Sequence, residues 1–92
     1  MLRNEIAKAK DEVMTLYRLA QTLPLSKRRK VYLNLIKPKL GWLSTHAKDQ
    51  AQFQIIIDRI YLDLVVDPRE RQSVKRSLYD AHRNNKNYHR GN

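Results

Sequence analysis

Hydrophobic residues recur along the first part of the chain with the period of an α-helix. They are separated by alternating steps of four and three residues, at Leu2, Ile6, Ala9, Val13, Leu16, Ala20 and Leu23. This spacing places them on one face of a helix. A proline follows at position 24, and the residue before a proline avoids the α region. The pattern therefore predicts a first helix over about residues 2–21.

A second helix is predicted after this proline, with Ser26 as its N-cap. Val31, Leu35 and Ile36 supply its apolar positions. Pro38 interrupts the pattern, and it either kinks the helix or begins a new one as a first-turn residue. The apolar positions then continue to about residue 47.

The segment 50–66 is apolar almost all round and is predicted to be the central, most buried helix, with Ile57 and Ile60 in the core. Asp49 and Gln52 precede and open it in the manner of a capping box. The residues 67–70, Asp-Pro-Arg-Glu, are a strong helix start. They predict a fourth helix that ends at about residue 84.

The predicted fold is thus an all-α bundle of four to five helices with a basic surface. Residues 1–84 form its single domain. Residues 85–92 have no apolar period and are expected to be a short, flexible basic tail.

Charge is distributed unevenly along this pattern. The chain has a net charge of +10, and residues 13–48 carry eight Lys and Arg side chains but no Asp or Glu. Like charges on one surface repel each other, so a block without acids indicates a partner that supplies negative charge. The usual partner is the phosphate backbone of a nucleic acid.

The candidate nucleic-acid-binding residues come from two basic groups. Four cations fall in the first turn of the second helix, where the helix dipole is already positive, which favours a functional reason for them. Three arginines recur every seven residues near the C-terminus and are predicted to share one helix face. A solvated surface is the competing interpretation of both groups. The candidates are Lys27, Arg28, Arg29, Lys30, Lys37, Lys39, Arg69, Lys75, Arg76 and Arg83.

Two aromatic residues adjoin these basic groups. Tyr32 follows the first group and Tyr88 lies in the basic tail. Both are candidates for stacking on unpaired bases, with a place in the core or at its boundary as the alternative.

Other chemistry is not indicated. The three histidines lack the spacing of metal ligands, and the two glycines form no phosphate-binding loop. No serine, histidine and acid are spaced in a way typical of a catalytic nucleophile, so we expect no catalytic residue, cofactor, metal or small-molecule substrate. Charged residues interrupt the apolar segment, so no membrane span is predicted. The absence of cysteine fits a reducing cytoplasm.

In size, helicity and charge the chain resembles the small helical-bundle subunits of CRISPR effector complexes. The features that carry the resemblance are the cations at 27–30, Lys37, Lys39 and the arginines at 69, 76 and 83. It implies a role in antiviral defence, in which such subunits line up along a guide-RNA filament and hold displaced or target DNA by its backbone. Phage nucleic-acid-binding proteins and basic accessory bundles of retroelements fit the same description.

The sequence therefore predicts a non-catalytic, nucleic-acid-binding subunit of a nucleoprotein complex that contacts phosphates largely without sequence specificity. One alternative is a helix-turn-helix regulator with residues 72–78 as its recognition helix. Another is a protein-interaction adaptor that docks on an acidic partner.

Overall fold

A computed structural model describes the backbone of residues 2–91 and the side chains of residues 2–82. Helix α1 spans Leu2–Ala20 and α2 spans Leu25–Val31. A π-helical segment, Tyr32–Ile36, continues directly into α3, Lys37–Ser44. Helix α4 spans Gln50–Leu64, and a 3₁₀ turn at Pro68–Glu70 leads into α5, Arg71–Gly91. The described backbone contains no strand, which confirms the all-α fold.

The core lies where α1 packs against α4 and the continuous rod formed by α2, the π segment and α3. Partly buried residues of α1, including Ile6, Ala9 and Leu16, pack against it, so the predicted apolar stripe of the first helix is confirmed. The buried cluster consists of Val13, Ala20, Tyr32, Ile36, Leu40, Leu43, Phe53, Ile60 and Leu64.

The π segment explains how the second helix continues through Pro38. Proline lacks an amide hydrogen, and in an α-helix its ring meets the carbonyl of the residue four positions earlier. Here the N–H of Lys37 donates to the carbonyl of Tyr32, five residues earlier, which widens the turn ahead of the proline. The chain therefore neither breaks nor restarts at Pro38.

The start of α2 differs from the prediction. Its N-cap is Pro24 in an extended conformation, with no side-chain cap, and Ser26 lies inside the first turn. The N–H groups of Lys27 and Arg28 donate to the Pro24 carbonyl at 3.0 and 2.9 Å. Pro24 thus is the last residue of the loop after α1 and the N-cap of α2.

Helix α4 begins as predicted, because the Asp49 side chain accepts a hydrogen bond from the N–H of Gln52 at 3.0 Å. The predicted core position of Ile60 is confirmed, whereas that of Ile57 holds only in part. Ile60 is 1% exposed, but Ile57 is only partly buried and Ile55 is 67% exposed. A bundle of so few helices cannot surround α4, so part of its apolar surface faces solvent.

The predicted start of the last helix is confirmed, because the Asp67 side chain accepts from the N–H of Arg69 at 2.9 Å. A 3₁₀ turn comes first, however, and the α-helix begins only at Arg71. It extends to Gly91, beyond the predicted end at residue 84. The predicted mobility of residues 85–92 stays a prediction, because their side chains lie outside the described residues.

Replacing Ile60 with alanine tests the position of the core. We expect Ile60→Ala to lower the free energy of unfolding by about 2–5 kcal/mol, because it leaves a cavity at a fully buried position. The same substitution at Ile55, on the exposed side of the same helix, should change it by no more than about 0.5 kcal/mol. Urea unfolding measures both values, and equal effects at the two positions would contradict this packing.

Candidate nucleic-acid interface

Arg28, in the middle of the basic group at 27–30, lies at the junction of three helices. Its Nε donates to the carbonyl of Leu23 at 2.7 Å, and its Nη2 donates to the carbonyl of Gln21 at 2.9 Å. Its Nη1 donates to the carbonyl of Asp63 at 3.2 Å. One guanidinium therefore connects α2 with the chain just after α1 and with the last turn of α4.

Arg29 makes a similar contact on the other side of the helix start. Its Nε donates to the carbonyl of Val65, the residue after α4, at 2.7 Å. Carbonyls at the end of a helix have no partner inside the helix, and the negative end of the helix dipole lies there. Arg28 thus satisfies carbonyls in the loop after α1 and at the end of α4, and Arg29 satisfies the carbonyl that directly follows α4.

These contacts change the interpretation of the cations in the first turn of α2. They lie at the positive end of their own helix, but Arg28 and Arg29 both extend to the negative end of α4, and Arg28 also reaches carbonyls of the loop after α1. Their position therefore has a structural reason and is not by itself evidence of a ligand. The lysines of the same group, Lys27 and Lys30, are exposed and have no ion pair among the described residues.

The two lysines beside Pro38 also differ from each other. Lys37 is exposed. Lys39 forms an ion pair with Glu12 of α1, with Nζ and Oε2 2.8 Å apart. The hydrogen bond and the charge of Lys39 lower the pKa of the Glu12 carboxyl below its ordinary value. Lys39 therefore has a counter-ion within the chain, and Lys37 remains the stronger candidate.

The three arginines with seven-residue spacing do not share one regular α-helix. Arg69 belongs to the 3₁₀ turn, whose different rotation per residue displaces it from the stripe that starts in α5. It also pairs with Asp67 at 3.1 Å and lowers the pKa of that carboxyl. Lys75 and Arg76 are exposed on α5. The side chain of Arg83 lies outside the described residues.

The aromatic candidates do not form a stacking platform in the described part of the chain. Tyr32 is 8% exposed and its ring packs edge-on against Tyr61, with the ring centroids 6.1 Å apart. Burial raises the pKa of the Tyr32 hydroxyl. Of the two interpretations of Tyr32, base stacking and a place in the core, its burial therefore favours the core. The side chain of Tyr88 lies outside the described residues.

A polar cluster that sequence reasoning missed joins three helices around Asp63. The Asp63 carboxylate accepts hydrogen bonds from the Tyr17 hydroxyl of α1 and from the Arg71 guanidinium at the start of α5. Its side chain is only 16% exposed. Burial, and then the hydrogen bond to Asp63, raise the pKa of Tyr17. The sequence did not predict this contact, because Tyr17 and Asp63 are 46 residues apart and no local pattern relates them.

Most acidic side chains are used within the chain. Besides the contacts of Glu12, Asp49, Asp63 and Asp67, the Asp58 carboxylate lies 2.8 Å from His82 Nε2 on α5 and accepts from Gln54. Five of the nine acids therefore have partners in the protein, and the chain keeps a net charge of +10. The exposed cations of the candidate set without an ion pair among the described residues are Lys27, Lys30, Lys37, Lys75 and Arg76.

The described part of the chain holds no group of three or more His, Cys, Asp or Glu residues arranged to bind a metal ion. None of its helices is both long and apolar enough to cross a membrane.

Comparisons of the chain with protein-family models, with curated proteins and with solved structures gave no match. The resemblance to CRISPR subunits therefore rests on size, helicity and charge alone.

Arg28 and Lys27 provide a matched test of the division within the basic group. Arg28→Gln should lower the free energy of unfolding by about 1–3 kcal/mol, because carbonyls in the loop after α1 and at the end of α4 lose their donor. Lys27→Gln should leave stability unchanged or raise it slightly, because it removes a positive charge from a helix start. Chemical unfolding curves distinguish these results. Equal stability of the two variants would contradict the structural role of Arg28.

Tyr17→Phe tests the Asp63 cluster. The variant should lose about 1–3 kcal/mol of stability near neutral pH, because a partly buried carboxylate loses a donor. Because the pKa of Tyr17 is raised in the folded protein, its hydrogen bond stabilises the fold fully at pH values below the unfolded-state pKa of about 10. This stabilisation is lost as the pH rises through the folded-state pKa. The difference between parent and variant should therefore shrink in alkaline solution. Tyr79→Phe, at an exposed tyrosine, is the control and should have the stability of the parent near neutral pH.

Proposed function

We propose that this chain is a non-catalytic nucleic-acid-binding subunit that contacts the phosphate backbone largely without reading sequence. The observation that carries the proposal is the separation of charges in the fold. The acids are mostly used in contacts within the protein, whereas five candidate cations are exposed and have no ion pair among the described residues. A surface of this kind gains affinity by releasing the counter-ions of a polyanion.

The main contact surface consists of Lys27, Lys30 and Lys37 on the rod formed by α2, the π segment and α3. Lys27 and Lys30 are three residues apart on α2 and share a helix face. Lys37 lies about 15 Å along the rod from Lys27 by the rise of a helix. Arg28 and Arg29 hold the rod in place and do not themselves belong to the contact surface.

Lys75 and Arg76 on α5 form a second cationic surface. We include it in the proposal because it too lacks counter-ions among the described residues. The molecule measures 41 × 41 × 15 Å, so a flexible single strand is long enough to reach both surfaces. One nucleic-acid track would then cross the rod and α5.

The helix-turn-helix alternative places residues 72–78 of α5 in a DNA groove. Residues 65–70, including the 3₁₀ turn, separate α4 from α5, which is longer than the turn of that motif. Binding one sequence far more tightly than random DNA would favour this alternative. No nucleic-acid binding at all would favour the adaptor alternative.

The central experiment compares two triple variants that each remove three positive charges. The rod triple combines Lys27→Gln, Lys30→Gln and Lys37→Gln. The groove triple combines Arg3→Gln, Lys10→Gln and Lys48→Gln. These three cations line a groove between α1, α3 and α4, outside the proposed track. Each is titrated against a random single strand and a random duplex at several salt concentrations.

The rod triple should bind all sequences more weakly than the parent. Its slope of log K against log salt should be shallower by about 2–3, because each lost phosphate contact removes about 0.7–0.9. The groove triple should keep most of the parent's affinity. Equal losses in both variants would show that net charge alone drives binding, and parental binding by the rod triple would contradict the proposal.

A further inference from the structure

An open groove on the opposite end of the core from the Asp63 cluster has an apolar floor. It has a volume of about 830 Å³ and lies between the first half of α1, α3 and the start of α4. Val13, Leu40, Leu43 and Phe53 contribute to its floor and belong to the buried core. Along α1 the lining extends from Leu2 to Met14, which corresponds to about 18 Å of helix.

The groove also exposes apolar side chains that a folded bundle normally covers. Leu2 is 51% exposed and Ile56 is 43% exposed, one on each side of the floor. An apolar floor bordered by helices matches the grooves that accept an amphipathic helix. The length of the lining fits about three turns of such a helix.

The charge around the groove is positive. Arg3 and Lys10 on α1 and Lys48 before α4 line it, and none of them has an ion pair among the described residues. Asp49 is the one acid among the described residues that line the groove, and its carboxylate caps α4. The cationic border therefore complements negative side chains beside an apolar stripe.

We propose that this groove docks an acidic amphipathic helix of a partner protein. Its apolar stripe covers Leu2, Ile56 and the floor between them, and its flanking carboxylates face Arg3, Lys10 and Lys48. A second copy of this chain is a poorer occupant, because each copy carries a net charge of +10 and the copies repel. The site is separate from the rod lysines, so a protein partner and a nucleic acid can bind together.

Three designed helical peptides of equal length serve as probes. The first carries leucines at positions i, i+3, i+4 and i+7 with glutamates on either side of the stripe. The second replaces these glutamates with lysines, and the third has the composition of the first in a scrambled order without a stripe. We expect the full chain to bind the first peptide at least about tenfold more tightly than the other two, because only the first matches both the floor and the border.

Two adjacent isoleucines of α4 give a matched pair of variants. Ile56→Asp places a carboxylate in the groove and should weaken the first peptide at least about tenfold, as expected for loss of an apolar anchor. Ile55→Asp changes the same residue type outside the groove lining and should bind within about twofold of the parent. Circular dichroism melts establish that both variants fold, and the groove triple provides a second test that leaves the apolar residues intact.

The same variants separate this site from the proposed nucleic-acid surface. The groove triple should lose affinity for the first peptide and keep it for a random single strand, whereas the rod triple should show the reverse. Equal binding of the first and scrambled peptides, or parental binding by Ile56→Asp, would overturn the proposal. So would sedimentation showing that the parent dimerises and that Ile56→Asp is monomeric, because the occupant would then be a second copy.

Discussion

The arrangement of the bundle depends on Asp63, a single residue that holds four helices through two polar groups. Its carboxylate binds Tyr17 of α1 and Arg71 of α5, and its carbonyl accepts from Arg28 of α2. Asp63 itself belongs to the last turn of α4. A partly buried carboxylate is tolerated only when paired, so each of these helices is constrained to the position that supplies its donor. The apolar core provides most of the driving force, and the donors to Asp63 add a geometric constraint on how the helices pack.

The use of acids in contacts within the protein also determines the charge of the outer surface. Acids of a strongly basic chain are used at helix starts, beside Lys39 and Arg71, and around His82, where they stabilise the fold locally. The cations that remain outside repel one another and lower the stability of the free chain. A bound polyanion would relieve this repulsion. Binding and folding would therefore be linked, with the complex more stable than the isolated protein.

The parts of the fold that follow from local physics were predictable. The stripe of α1, the Asp49 cap and the Asp67-Pro68 start depend on residues within a few positions of each other, and all three are confirmed. The π segment was not predictable, because it reconciles Pro38 with the burial of Ile36 and requires knowledge of the neighbouring helices. The exposure of Ile55 likewise depends on how few helices surround α4.

The candidate site was predictable as a charge excess but not residue by residue. Lys27, Arg28, Arg29 and Lys30 look alike in a sequence, since only the tertiary fold brings the carbonyls of Leu23 and Val65 to the two arginines. Nuclear magnetic resonance of arginine Nε–H groups tests this division most directly. The account predicts slowly exchanging Nε–H signals for Arg28 and Arg29 that stay unchanged when a random single strand is added, while the side-chain signals of Lys27 and Lys30 shift. Rapid exchange of both arginine signals in the free protein, or shifts as large as those of the lysines, would contradict it.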